Sequence, residues 1–276
     1  MIPFQKFQGT GNDFIIFNSS DVEQYNLNVL AQNVCNRHFG IGADGMIISK
    51  QSDIADIKMD FFNADGSIAT MCGNGIRCFA KFVYENEIIK KNKFNVETLA
   101  GIMKVEVFEK NNLVDLVRVN LGKPLLSSKE IPKASNLAEF INEEMIIEDE
   151  RLKISSIFIG TIHTVLFVKE FDYNYFEKIG KYIENHKIFP YKTNVNFCKR
   201  IDKNNIEVLT WEKGVGFTLA CGTGAAACFV INRLINDSDN KIQVKVNSGS
   251  LYFEEVDGDI LMSGPAKLIC KGNYNY

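Results

Sequence analysis

The chain has 276 residues, 46% of them apolar and 24% charged, with a formal net charge of −3. That balance excludes a disordered tail, a fibrous repeat and a small disulfide scaffold, and its slight negative charge gives no basic field for a nucleic-acid partner. No run of about twenty apolar residues predicts a membrane span, and the start Met1-Ile2-Pro3-Phe4-Gln5-Lys6 lacks the pattern of a signal peptide, so a reducing cytoplasm is the expected compartment.

Taken in chain order, strand-like runs alternate with a few helical ones. Residues 14–18 predict a strand. A helix over 28–36 follows, with Gly40 as its C-terminal stop. A strand over 57–63 leads to a helix over 73–88, then to strands over 102–109 and 113–120. The charged stretch 142–151 reads as solvated surface. A strand over 164–168 precedes an amphipathic helix over 174–186, with Phe176, Ile179 and Ile183 on one face. Strand 206–211, helix 222–236 and strands 242–246 and 251–256 complete the series. Strands outnumber helices and do not alternate with them one for one, which predicts an α+β fold rather than a doubly wound parallel sheet.

The chain holds seven cysteines, an odd number, and none lies in a Cys-x-x-Cys pair. With only three histidines available, a structural zinc site is not expected. Cys35, Cys78, Cys198, Cys228 and Cys270 read as small packing residues. Cys72 and Cys221 stand apart. Residues 70–78 run Thr-Met-Cys-Gly-Asn-Gly-Ile-Arg-Cys, and residues 219–228 run Leu-Ala-Cys-Gly-Thr-Gly-Ala-Ala-Ala-Cys. The two leading cysteines are 149 residues apart, and at that offset Phe62 falls on Trp211 and Gly11 on Gly160. Strand, loop, Cys-Gly-x-Gly and helix recur as a set, which predicts an internal duplication.

Each motif sits where a loop becomes a helix. The first turn of a helix has free N–H groups and the positive end of the dipole, and glycines there admit a close ligand. Each motif can therefore cradle an anion, and a cysteine just before the turn has its thiolate favoured. Two such thiols suit either of two chemistries. One is a dithiol redox couple. The other is proton transfer on both faces of one carbon, with one thiolate as base and one thiol as acid.

At this point the sequence resembles the diaminopimelate epimerase family, along nearly its whole length. The resemblance is carried by Gly9-Thr10-Gly11-Asn12-Asp13-Phe14, by residues 36–45 (Asn-Arg-His-Phe-Gly-Ile-Gly-Ala-Asp-Gly) and by Phe62-Asn63-Ala64-Asp65-Gly66-Ser67. It continues through Cys72-Gly73-Asn74-Gly75-x-Arg77-Cys78, Gly160-x-x-His163, Asn194 after Phe189-Pro190, and Ala220-Cys221-Gly222-Thr223-Gly224. Asn247-Ser248-Gly249-Ser250 and Met262-Ser263-Gly264-Pro265-Ala266 close the series.

The resemblance implies two pseudo-symmetric domains, each a mixed sheet wrapped around a central helix, with the site in the cleft between them. The bounds it implies are 1–117 plus 264–276 for one and 118–263 for the other. It implies a small amino-acid substrate, no cofactor, no metal, and a homodimer. It implies that Cys72 and Cys221 are the proton carriers, with His163 and Glu212 setting thiol ionisation and substrate orientation. Asn12, Asn63, Asn194 and the backbone at Gly73, Asn74, Gly222 and Thr223 would hold the substrate.

Three positions depart from the family pattern. Thr161 stands where the family usually has Asn, in Gly160-Thr161-Ile162-His163. Lys213 replaces the Arg that clamps the distal carboxylate, keeping the charge without the planar fork. Phe217 replaces an acid. The proton-transfer residues are intact and the distal ones altered, which leaves lanthionine or another amino acid as an alternative substrate, and a thiol–disulfide protein as an alternative of another class.

Overall fold

The computed structural model describes residues 1–127, 131, 139–147 and 150–276. The chain divides into two compact units, Met1–Asn120 with Ser263–Tyr276, and Leu121–Met262.

The first unit runs β1 (Ile2–Gly9), β2 (Asn12–Asn18), α1 (Ser19–Val22), α2 (Leu27–Cys35), β3 (Gly45–Lys50), β4 (Ile57–Asn63), β5 (Ile68–Ala69), α3 (Gly73–Glu85), β6 (Lys93–Thr98), β7 (Gly101–Lys110) and β8 (Leu113–Asn120). The pairing is β1–β2 antiparallel, β2–β3 parallel, β3–β4 and β4–β5 antiparallel, β4–β6 parallel, then β6–β7–β8 antiparallel. Helix α3 is buried from Asn74 to Val83 and packs against β1, β2, β3, β7 and β8. Ile76, Cys78, Phe79, Ala80, Phe82 and Val83 place apolar side chains around its circumference, and a helix of that kind is stable only when enclosed. Leu30, Ala31, Val34 and Cys35 of α2 pack with Ile15, Phe17, Met46, Ile48 and Phe62 of β2, β3 and β4.

Helix α2 ends at Cys35 with Asn36 as its cap, before Gly40. The following loop folds back on it. The N–H groups of Ile41 and Gly42 donate to the Val34 carbonyl at 3.0 and 2.9 Å, and that of Ala43 to Cys35 at 3.1 Å. The last carbonyls of the helix are thereby satisfied. A Cβ at position 40 would lie 2.0 Å from the Asn33 carbonyl oxygen, so glycine there serves the fold-back and not the stop.

The second unit runs β9 (Phe140–Ile147), β10 (Glu150–Ile159), β11 (Thr161–Val168), α4 (Tyr173–Glu184), β12 (Asn194–Arg200), β13 (Asn205–Glu212), β14 (Gly216–Phe217), α5 (Gly222–Ile235), β15 (Lys241–Val246), β16 (Gly249–Val256) and the start of β17 (Asp259–Gly264), whose last two residues belong to the first unit. Its pairings repeat those of the first unit: β10–β11 antiparallel, β11–β12 parallel, β12–β13 and β13–β14 antiparallel, β13–β15 parallel, β15–β16 antiparallel. The register repeats as well. Phe14 pairs with Gly45 and His163 with Asn194; Met46 pairs with Phe62 and Val195 with Trp211; Phe62 pairs with Ile68 and Trp211 with Phe217. Every one of these matches keeps the 149-residue offset of the cysteines. The expected α+β duplication is thus present at the level of individual strand partners. Helix α5 occupies the place of α3 and packs against β10–β13, β15 and β16.

Within the charged stretch 142–151, expected as solvated surface, residues 142–147 and 150–151 are strand with one side exposed. Met145 and Ile147 of β9 face inward while Asn142, Glu144 and Ile146 are exposed; residues 148–149 lie outside the described residues. The last strand, β18 (Lys267–Tyr274), pairs antiparallel with β1 and completes the first unit.

Candidate active site: two cysteine-capped helices

In the first unit, Cys72 is the half-buried N-cap of α3, with extended backbone. The first intrahelical bond runs from Ile76 N to Cys72 O at 2.9 Å, so the N–H groups of Gly73, Asn74 and Gly75 make up the first turn, ahead of the helix's own ladder. Behind that turn lies Arg77, fully buried. Its Nη1 donates to Gly73 O at 3.0 Å, and its Nη2 to Thr10 Oγ1 at 2.8 Å and Asn74 Oδ1 at 2.9 Å. The Thr10 hydroxyl donates in turn to Asn74 Oδ1 at 2.9 Å. Thr10 and Gly11 form the β1–β2 turn, and Thr10 sits at φ +46°, a strained setting for a β-branched residue. The bonds to Arg77 and Asn74 hold it there. Asn74 Nδ2 then donates to Asn12 Oδ1 at 2.6 Å, and Asn12 Nδ2 to Asp44 Oδ2 at 3.0 Å. Asp13 is held by Lys6 at 2.9 Å and by a two-pronged bond from Arg37. Burial pushes the Asp13 carboxyl up, but those two cations outweigh it and hold the group below the usual carboxylate range. Asn63 ends β4, with Nδ2 donating to Ser67 Oγ at 2.9 Å.

In the second unit, Cys221 is the half-buried N-cap of α5. Its Sγ accepts from Gly224 N at 3.4 Å and lies 3.5 Å from Thr223 Oγ1. A sulfur that accepts a first-turn N–H has its charged form favoured. His163 on β11 is fully buried. Burial, and then the charge of Lys213, push its imidazole down to about 3, so the ring is neutral at physiological pH. Asn196 Nδ2 lies 3.3 Å from His163 Nδ1, while His163 Nε2 is buried with no hydrogen-bond partner among the described residues. Glu212 ends β13 and accepts from Thr218 Oγ1 at 2.6 Å; its burial raises the carboxyl, against the pull of that bond. Asn194 is buried, with Oδ1 accepting from Lys213 N at 2.9 Å and Nδ2 donating to Ile162 O at 3.3 Å. Thr161 opens β11 next to Gly160. Glu184, at the end of α4, accepts from Trp211 Nε1 at 2.8 Å and from Gly214 N at 3.1 Å, and pins the turn that carries Lys213.

Within the first unit a hydrogen bond joins Asn12 to Asn74 in the turn that Cys72 caps, and within the second one joins Asn194 to the backbone of Lys213, next to Glu212; Asn63 bonds Ser67 instead. Arg77, Thr10, Asn196 and Glu184 support these networks, and the sequence reading assigned none of them a role. Three expectations need correction. Cys270 is exposed on β18 and is not a packing residue. Phe217 is a packing residue: its ring meets Trp211 edge-on at 5.3 Å and Tyr173 at 5.5 Å. Gly224 gives room inward, because a Cβ there would lie 2.3 Å from Asn196 Oδ1. The buried cysteines separate from the capping pair. Burial pushes Cys35 and Cys78 up to about 12 and Cys228 well up, which keeps all three as thiols. Among the described residues no cluster of His, Cys, Asp or Glu could hold a metal ion.

Comparison with known proteins adds an independent line. The family model described as diaminopimelate epimerase matches residues 4–126 and 155–269. Proteins named diaminopimelate epimerase from Alkaliphilus metalliredigens and Caldanaerobacter subterraneus are 49% and 45% identical, covering 99% and 98% of this chain and 97% and 98% of their own. One from Methanococcus maripaludis is 42% identical over 98% of both chains. Among solved structures, a probable proline racemase from Agrobacterium radiobacter superposes with a TM-score of 0.70 at 12% identity, over 99% of this chain and 92% of that one. A phenazine biosynthesis protein of the PhzF family from Bacillus anthracis does so at 0.66 and 16%, over 98% of both. The last two share the duplicated fold; the sequence matches, spanning both cysteine-capped helices, establish that the chain belongs to the diaminopimelate epimerase family.

Proposed function

We propose that this chain interconverts LL-2,6-diaminopimelate and its meso isomer by two-base proton transfer between Cys72 and Cys221. The observation that carries this reading is the placement of both cysteines at the same point of two matched units, each capping its buried central helix. In one direction the thiolate of one cysteine takes the α-proton and the thiol of the other returns a proton to the opposite face. The first turns at Gly73-Asn74 and Gly222-Thr223 bind the α-carboxylate and stabilise charge that develops there as the proton leaves. His163 and Glu212 orient the substrate and the thiols, with Asn12, Asn63, Thr161 and Asn194 at its edges. Lys213 meets the distal carboxylate as a point charge. The chemistry on this reading needs no cofactor, and it needs both sulfurs reduced, which suits the cytoplasm. Among the described residues no helix is long and apolar enough to cross a membrane. A homodimer fits the exposed Leu268 and Ile269 of β18. The lanthionine and thiol–disulfide readings gain no support, since Phe217 is accounted for by packing and the three relatives at 42–49% identity reported above are each named diaminopimelate epimerase.

The test is incubation with LL-diaminopimelate in D2O, with reductant and no added cofactor. The expected result is α-deuterium incorporation and meso product in the wild type, with loss of both in Cys72→Ala and Cys221→Ala. Full activity in either variant would overturn the mechanism.

A further inference from the structure

The duplication provides an internal control for the polar interior of the second unit. His163, Thr164, Asn196 and Thr210 are all buried there. At the 149-residue offset the first unit holds Phe14, Ile15, Ile47 and Phe61, equally buried. The same four positions in the same register are therefore apolar in the first unit. The fold does not require the polar set in the other, and burying its one atom left without a partner among the described residues, His163 Nε2, is unfavourable without a functional return.

The set is ordered around the Asn196 carboxamide. Its Oδ1 accepts from Thr210 Oγ1 at 3.0 Å. Its Nδ2 donates to the Thr164 carbonyl at 3.1 Å, an acceptor only, so the nitrogen end must face β11. The same NH2 group lies 3.3 Å from His163 Nδ1. Since an amide NH2 cannot accept, Nδ1 must be the lone-pair nitrogen and the ring proton must sit on Nε2. That Nε2 is buried and has no acceptor among the described residues. The carboxamide also abuts the first turn of α5, where glycine at 224 is the only residue that clears Asn196 Oδ1. Asn196 therefore ties the imidazole to the helix start capped by Cys221.

We propose that Asn196 is a positioning residue that fixes His163 as the neutral Nε2–H tautomer. The ring is thereby held as a hydrogen-bond donor for an acceptor that arrives with the substrate, and it is barred from acting as the base that takes a thiol proton. This rests on the epimerase reading for its meaning, but its test does not. Full-length protein labelled with 15N-histidine gives ring-nitrogen correlations for its three histidines, and His163→Phe identifies the signal. The expected spectrum at neutral pH has His163 protonated on Nε2 and bare on Nδ1; a ring protonated on Nδ1, or an imidazolium, overturns the assignment. Asn196→Asp places an acceptor against Nδ1. It is expected to move the proton to Nδ1 and to lower kcat/KM about 10- to 100-fold, the scale of one misdirected hydrogen bond to a charged group. An Asn196→Asp protein that switches tautomer at full activity, or keeps the wild-type tautomer, overturns the positioning role. The wild-type spectrum decides the tautomer whether or not the protein exchanges the α-proton of diaminopimelate.

Discussion

Replacing His163 by Phe, the residue at the matching register position of the first unit, should remove an acid sensitivity that the second unit carries and the first does not. An unfolded imidazole titrates near 6.5, whereas burial pushes His163 down to about 3 in the fold. Between those values the unfolded chain binds a proton that the native chain refuses. The stability held in the neutral ring is therefore complete above about pH 6.5 and is lost as pH falls toward 3. At pH 5 the unfolded ring is about thirtyfold more often protonated than not, which corresponds to a loss of about 2 kcal/mol. Urea unfolding of wild type and His163→Phe at pH 7.5 and pH 5 measures it. Carboxylates that stabilise the fold titrate lower and are shared by both proteins, so they cancel in the difference. Wild type should lose about 2 kcal/mol more than the variant across that interval. An equal loss in both would refute a buried, neutral His163.

Four further outcomes follow from the supporting residues. Glu184→Gln weakens the hold on Trp211 and Gly214, at a cost of about 1.5–3 kcal/mol; the emission of Trp211, the single tryptophan, should move to longer wavelength. Gly180→Ala sets a Cβ 2.8 Å from Trp211 Cγ. It should cost about 1–3 kcal/mol in thermal unfolding by overpacking. Arg77→Lys loses the fork that spans Thr10 and Asn74 and should cost about 2–4 kcal/mol, read as a lowered Tm. Lys213→Arg restores a planar fork for a distal carboxylate and should lower KM for diaminopimelate several-fold while leaving kcat near wild type.

Strands β4 and β8 and helices α3 and α5 were legible because each concentrates apolar residues at one period between turn residues. Strands β3 and β12 were not. Gly45–Lys50 is buried almost throughout and so carries no alternation, and Asn194–Arg200 hides two asparagines in an apolar run. β18 escaped for the opposite reason, because it is exposed along nearly its whole length. At the site, the cysteines were visible as a repeated motif, while Arg77 was not, since nothing local distinguishes an arginine buried by five surrounding elements from one in solvent. Asn196 did leave a trace. Asn194 and Asn196, two apart on one strand, must share a face, and two amides on the same face of a buried strand signal a polar interior.

The pairing of β1 with β18 joins Ile2 to Tyr274, which ties the first unit to the order of synthesis. Unit two is one continuous stretch of chain and can close as soon as it has emerged from the ribosome. Unit one cannot receive its last strand until residues 267–274 have been made. At about 5–20 residues per second, that keeps one side of β1 waiting for roughly 13–50 s. The half that carries Cys72 is therefore begun before unit two and finished after it. Loss of the final strand would strike it rather than the neighbouring half in sequence.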